Sequence, residues 1–208
     1  MDKSTINESI DNIFSALQEK ADKMLNVSEN LNEITQNIIH VVSEELTTQS
    51  RTLIVDLYSV LSQETLNQPE FQDMEHKSMF YLADIRGLIY DKYVFDETVM
   101  ESLQEGISVQ EINKTYTSIA AAAGTAAVGG VLKYVLSTRV NIPIVLIFIG
   151  AMTAFCISYF KVTPEINKTS FHKAVSIFLK EIRNEYKVWF EEIEQYYHQK
   201  VQELIETF

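Results

Sequence analysis

Hydrophobic positions recur along the first sixty residues at the three-four spacing of helices that pack on one another. Ile6, Ile13, Lys20, Val27, Ile34 and Val41 fall seven apart, interleaved with Ile10, Leu17, Met24, Leu31, Ile38 and Glu45. Ten of those twelve positions are apolar, with mostly polar residues between them, as in a coiled coil or helix bundle. The spacing predicts a long helical segment over 1–66, with Ile6, Ile10, Ile13, Leu17, Met24, Val27, Leu31, Ile34 and Ile38 as a seam for self-association. Lys20 and Glu45 are its polar positions. After Val42 the pattern continues one residue out of step through Leu46, Leu53, Leu57 and Val60, and the stretch Gln63–Pro69 ends the element.

Residues 67–107 form an aromatic-rich helical segment carrying Phe71, Phe80, Tyr81, Tyr90, Tyr93 and Phe95. Leu82, Ile85, Leu88 and Ile89 suit a helix lying on the first one, with Gly87 a mild interruption. Gly106 reads as a stop, and Ser108 with Glu111 as the capping box of the next helix. Over 162–208 another amphipathic helix is written in Phe171, Val175, Phe178, Ile182, Tyr186, Trp189, Ile193, Tyr197, Val201, Leu204 and Phe208.

Between these lies 108–161, where the pattern becomes apolar on every side. From Ile112 to Pro164 there is no carboxylate, in a chain of 208 residues with 29 Asp and Glu. Two stretches, about 117–137 and 142–160, are joined by a short link. The second holds nineteen uncharged residues, about 28 Å of helix, close to the thickness of a bilayer's hydrocarbon layer. Small residues fall four apart on each stretch, Ala122, Ala126 and Gly130 on the first and Gly150, Ala154 and Ser158 on the second. Such stripes let two helices approach closely in lipid. Lys114, Lys161, Lys168 and Lys173 flank the open end of this hairpin, which by the positive-inside bias places both termini in the cytoplasm.

The expected fold is therefore all-α, with long amphipathic, coiled-coil-like helices and a two-helix hydrophobic transmembrane hairpin. An Ala/Gly-rich apolar hairpin between long helices resembles, in architecture, the α-helical pore-forming toxins of the long-bundle type. The resemblance covers the hairpin and its flanking helices, and implies a hairpin released at a membrane.

Charge narrows the partners. The net charge is −12, and residues 1–116 carry 8 Lys and Arg against 21 Asp and Glu, so nucleic acid is not an expected ligand. The single Cys156 sits in an apolar run without a nearby His, which excludes a disulfide framework. His40, His76, His172 and His198 form no zinc motif, and the pairs Asp73/His76 and Glu194/His198 have the helical spacing that polar surfaces produce by chance. Phosphate-binding glycine motifs and a nucleophile elbow are absent, so no catalytic, metal or cofactor residue is expected.

These observations favour a two-span integral membrane protein that self-associates and forms a pore or perturbs the bilayer, its partners being membrane lipid and further copies of itself. The alternatives are a membrane-anchored coiled-coil scaffold that recruits a protein partner, and a soluble helical-bundle interaction protein with the hairpin as its buried core.

Overall fold

The computed structural model describes residues 3–27, 31–93 and 168–208, and these are all-α, with no strand among them. In chain order the helices are α1 (Lys3–Val27), α2 (Leu31–Leu66), a 3-10 turn (Pro69–Phe71), α3 (Met74–Leu82), α4 (Ile85–Tyr93) and α5 (Lys168–Ile205).

The single long segment expected over 1–66 is two helices folded back on each other. Lys20 of α1 is ion-paired with Glu45 of α2, while at the other end Ile6 faces Leu57 and Leu61 across a small cavity. The two helices are therefore antiparallel. α5 is antiparallel to α1 as well. His172 meets Asp22 at 2.8 Å, and Arg183 and Lys187 meet Asp11 at 3.7 and 2.6 Å. From Asp22 back to Asp11 and from His172 on to Arg183 the step is eleven residues, about 16 Å of rise on either helix, so the register holds without slip. α2 and α5 consequently run parallel, and two hydroxyl pairs fix them together: Ser50 with Tyr186 at 2.5 Å, and Thr65 with Tyr197 at 2.7 Å.

Each helix contributes a stripe to one continuous core. On α1 the buried residues are Ile6, Ile10, Phe14, Leu17, Ala21 and Leu25; on α5 they run from Phe171 through Ile182, Tyr186 and Trp189 to Val201. Tyr186 lies wholly within this core with its ring edge-on to Phe14 at 5.7 Å. Burial raises the Tyr186 phenol well above its ordinary pKa, and the Ser50 hydroxyl partly offsets that. Of the buried hydroxyls on α2, Ser50 and Thr65 thus have the partners that burial calls for, whereas that of Thr47 has no hydrogen bond.

Beyond Leu66 the chain turns sharply. Gln68 takes the extended conformation that a following proline demands, and Asp73 caps α3 by accepting the amide hydrogen of Glu75 at 2.7 Å. α3 and α4 then return along the C-terminal half of α5. Phe71 and His76 pack against Phe208. Tyr93 meets Trp189 and Tyr196 and donates its hydroxyl to the carbonyl of Glu192 at 3.0 Å. Expected to pack on the first helix, this segment packs mainly on α5, with Ile85 and Ile89 buried and Leu82 and Leu88 exposed.

The membrane reading is corrected. Among the described residues no helix is long and apolar enough to cross a membrane. α5 is long enough, but it carries twelve Lys, Arg, Asp and Glu residues, and each would cost up to about 2.5–3.5 kcal/mol at the centre of a bilayer. The long described helices, α1, α2 and α5, are amphipathic and bury most of their apolar faces against one another. A two-span, multi-pass pore with cytoplasmic termini is accordingly set aside, together with the membrane-anchored scaffold. Residues 117–137 and 142–160, with Ala122, Ala126, Gly130, Gly150, Ala154 and Ser158, lie outside the described residues, as do Phe95, Ser108 and Glu111.

Candidate interaction surface

The break between α3 and α4 builds the most distinctive surface of the described residues. Asp84 sits at φ 40°, a left-handed conformation open to few residues besides glycine, asparagine and aspartate. Its carboxylate accepts the amide hydrogen of Gly87 at 3.1 Å and so caps α4. A Cβ on Gly87 would lie 2.3 Å from Asp84 Oδ2, so a side chain there would evict the cap. Glycine at 87 is what lets the Asp84 carboxylate sit this close over the amide.

Turning the chain at Asp84 leaves the outer face of α3 without cover. Phe80 points inward and is buried against Phe71. On the opposite side Met74 is 78%, Tyr81 67% and Leu82 83% exposed, and Leu88 of α4 is 40% exposed. Positions 74, 81 and 82 stand seven and eight residues apart, which puts them on one helical face. Behind them Tyr58 of α2 is half-buried, ring edge-on to Tyr197 at 5.9 Å. Its phenol is raised above the ordinary range by burial and then by the Asp84 carboxylate.

Exposed carboxylates border this apolar face: Glu70, Asp73, Glu75 and Asp84. The cations in the same stretch are Lys77, half-buried, and Arg86, which donates to the Tyr90 hydroxyl at 3.2 Å and lies over that ring at 5.3 Å. The corner is therefore apolar at its centre and acidic around it.

The residues read from the sequence as an oligomer seam are placed differently. Ile6, Ile10, Leu17, Ile34 and Ile38 are buried in the chain's own core. Ile13 and Met24 lie at its edge, Val27 is 87% exposed at the end of α1, and Leu31 opens α2. Lys20 and Glu45, the two polar seam positions, are joined to each other. The hydrogen bond from Lys20 holds the Glu45 carboxyl below its usual range, against the opposing effect of burial.

Neither His pair gathers a metal site. Asp73 is occupied as a helix cap, and His76 is hydrogen-bonded through Nδ1 to the Glu70 carbonyl at 2.7 Å and stacked on Phe208. His198 stands 3.7 Å from Glu194 alone. Among the described residues no three His, Cys, Asp or Glu side chains converge on a common point.

Concavities are present elsewhere among the described residues. A cavity of about 50 Å³ lies between Ile6, Leu57, Leu61 and Phe190. A shallow groove of about 670 Å³ follows the junction of α1 and α5, walled by Asp11, Glu19 and Asp22 on one side and Lys180 and Arg183 on the other. The first is smaller than a drug-sized ligand needs, and the second is wide open with a largely charged border.

Comparison with known proteins found no matching family model, no similar curated protein and no similar solved structure. The residues themselves carry whatever functional argument there is.

Proposed function

We propose that this chain is a helical-bundle interaction protein, which acts by holding another protein rather than by catalysis. The antiparallel α1–α2 pair, packed along its length on α5, serves as a coiled-coil-like platform, and the α3–α4 corner is the face it presents. One observation carries the reading: Met74, Tyr81 and Leu82 stand more than two-thirds exposed on one face of a nine-residue helix. Scattered single apolar residues on a surface are ordinary, whereas three on one face of a short helix, with the small Ser78 between them, suit a contact site.

The test places a photoreactive aromatic amino acid at Ser78, between Met74 and Leu82, in cells that make the protein. Irradiation is expected to give discrete protein adducts that vanish when Leu82→Ser is added. The control position is Lys23, on the exposed side of α1. If position 78 yields no more adduct than position 23, the corner is not an interaction surface and the reading fails.

A further inference from the structure

The proposed function leaves the partner's chemistry open, and the corner's own residues narrow it. We infer that the α3–α4 corner docks a basic amphipathic helix of another protein. The inference rests on the reading of this corner as an interaction surface.

Shape comes first. From Met74 to Leu82 the apolar face runs eight residues, about 12 Å along α3. A second helix laid across it offers a stripe of that length from two of its own turns, with anchors at i, i+3 or i+4, and i+7. An extended segment has less to hold here, because no strand edge exists among the described residues to pair with its backbone.

Charge comes second. Glu70, Asp73, Glu75 and Asp84 outnumber Lys77 and Arg86 around the patch, and Arg86 is turned onto Tyr90. The whole chain carries −12, so its field draws cations toward it and repels another acidic surface. A second copy of this chain is disfavoured for that reason. A two-fold contact through the same corner would set four carboxylates against four more.

Two synthetic helices of about 18 residues distinguish the possibilities. Both carry the same leucine stripe; one has lysine and the other glutamate at the remaining positions. Each bears a fluorophore and is titrated with the full chain at low and at physiological salt. The lysine helix is expected to bind, and to weaken with salt. Its affinity should fall about 10-fold on Leu82→Ser, as for loss of an apolar anchor, and about 3-fold on Glu75→Lys, as for a surface charge pair. The glutamate helix should not bind measurably. Leu82 and the Glu75 side chain are exposed, and circular dichroism of each variant checks that the bundle is retained.

Equal binding of both helices would overturn the charge assignment. Binding of the lysine helix that ignores Leu82→Ser would show attraction by net charge alone, and would equally sink the proposal. Dimerisation of the free chain in sedimentation, abolished by Leu82→Ser, would hand the surface to a second copy. Adducts from position 78 with no lysine-helix binding would leave the interaction surface standing and refute only its basic partner. Absence of those adducts refutes the broader reading.

Discussion

Phe14 and Ile13 are neighbours on α1 that a helical-wheel argument can rank either way, and the structure ranks them sharply. A seven-residue seam through Ile6 and Lys20 puts Ile13 in the core and Phe14 beside it. In the structure Phe14 is 4% exposed and meets the Tyr186 ring edge-on, while Ile13 is only partly buried. Truncating a buried phenylalanine costs about 3–5 kcal/mol, of which an aromatic pair beyond its buried area accounts for about 0.5–1.5. Ile13→Ala at the core edge should cost about 1 kcal/mol, the ordinary value for a partly buried site. Urea unfolding followed by circular dichroism at 222 nm measures both variants. The expectation is that Phe14→Ala destabilises by at least 2 kcal/mol more than Ile13→Ala. Equal losses, or a larger loss at Ile13, would mean that α1 is rotated relative to the packing described and that its contact with α5 through Tyr186 is wrong.

The Lys20–Glu45 pair predicts a pH effect of definite sign. Because the folded-state Glu45 pKa is lowered, first by the hydrogen bond from Lys20, its contribution is present above the unfolded carboxylate pKa of about 4.3 and is lost as pH falls through the lower folded value. Glu45→Gln should therefore cost less than about 1 kcal/mol at pH 7, and progressively less as pH falls below the unfolded carboxylate pKa; a penalty that grows toward acid would refute the pair. At the corner, Gly87→Ala loses about 1 kcal/mol with the Asp84 cap and regains up to about as much in helix propensity, so it should leave stability within about 1 kcal/mol of the parent and not raise it. A stabilised Gly87→Ala, by thermal or urea melting, would show that the cap is not what orders α4.

α5 was the most legible element. Its aromatic and aliphatic residues from Phe171 to Val201 recur every three or four positions, and each of those named from the sequence is buried. The heptad reading of α1 slipped in phase. Its strict sevens select Ile13, Lys20 and Met24, while the core takes Phe14, Ala21 and Leu25, one residue further on in each case. A helix with one narrow seam drifts toward a 3.5-residue period, whereas α1 touches both α2 and α5 and needs the wider stripe of a helix with a period near 3.6. The fold-back near Val27 was less visible still, because Val27, Leu31 and Ile34 continue the same periodicity through the turn. Its one trace was the pair of charged seam positions, Lys20 and Glu45. In a continuous helix they would lie 25 residues apart, and only a hairpin brings them together.

The corner was the least legible, for a reason tied to two residues. Leu82, Ile85, Leu88 and Ile89 look like one apolar helical face if the helix is unbroken. Asp84 at φ 40° rotates α4 relative to α3, so Ile85 and Ile89 turn inward while Leu82 remains outside. The signal that could have revealed this is an aspartate three residues before a glycine, since the cap needs the carboxylate and the missing Cβ together. Burial then explains why the exposed face is not an accident of a poor core. α3 is anchored from behind by Phe80 on Phe71, and by His76 on Phe208 at 3.8 Å. Met74 and Leu82 contribute little to that anchoring at their exposure, and Tyr81 adds only an edge-on contact of its ring with Phe80 at 5.8 Å, so polar residues at 74 and 82 would leave the bundle's packing unchanged. Ile177 and Val188 of α5 are also 51% and 45% exposed, but each stands singly, whereas Met74, Tyr81 and Leu82 share one helix face, which is why the proposed contact is placed there and not elsewhere on the bundle.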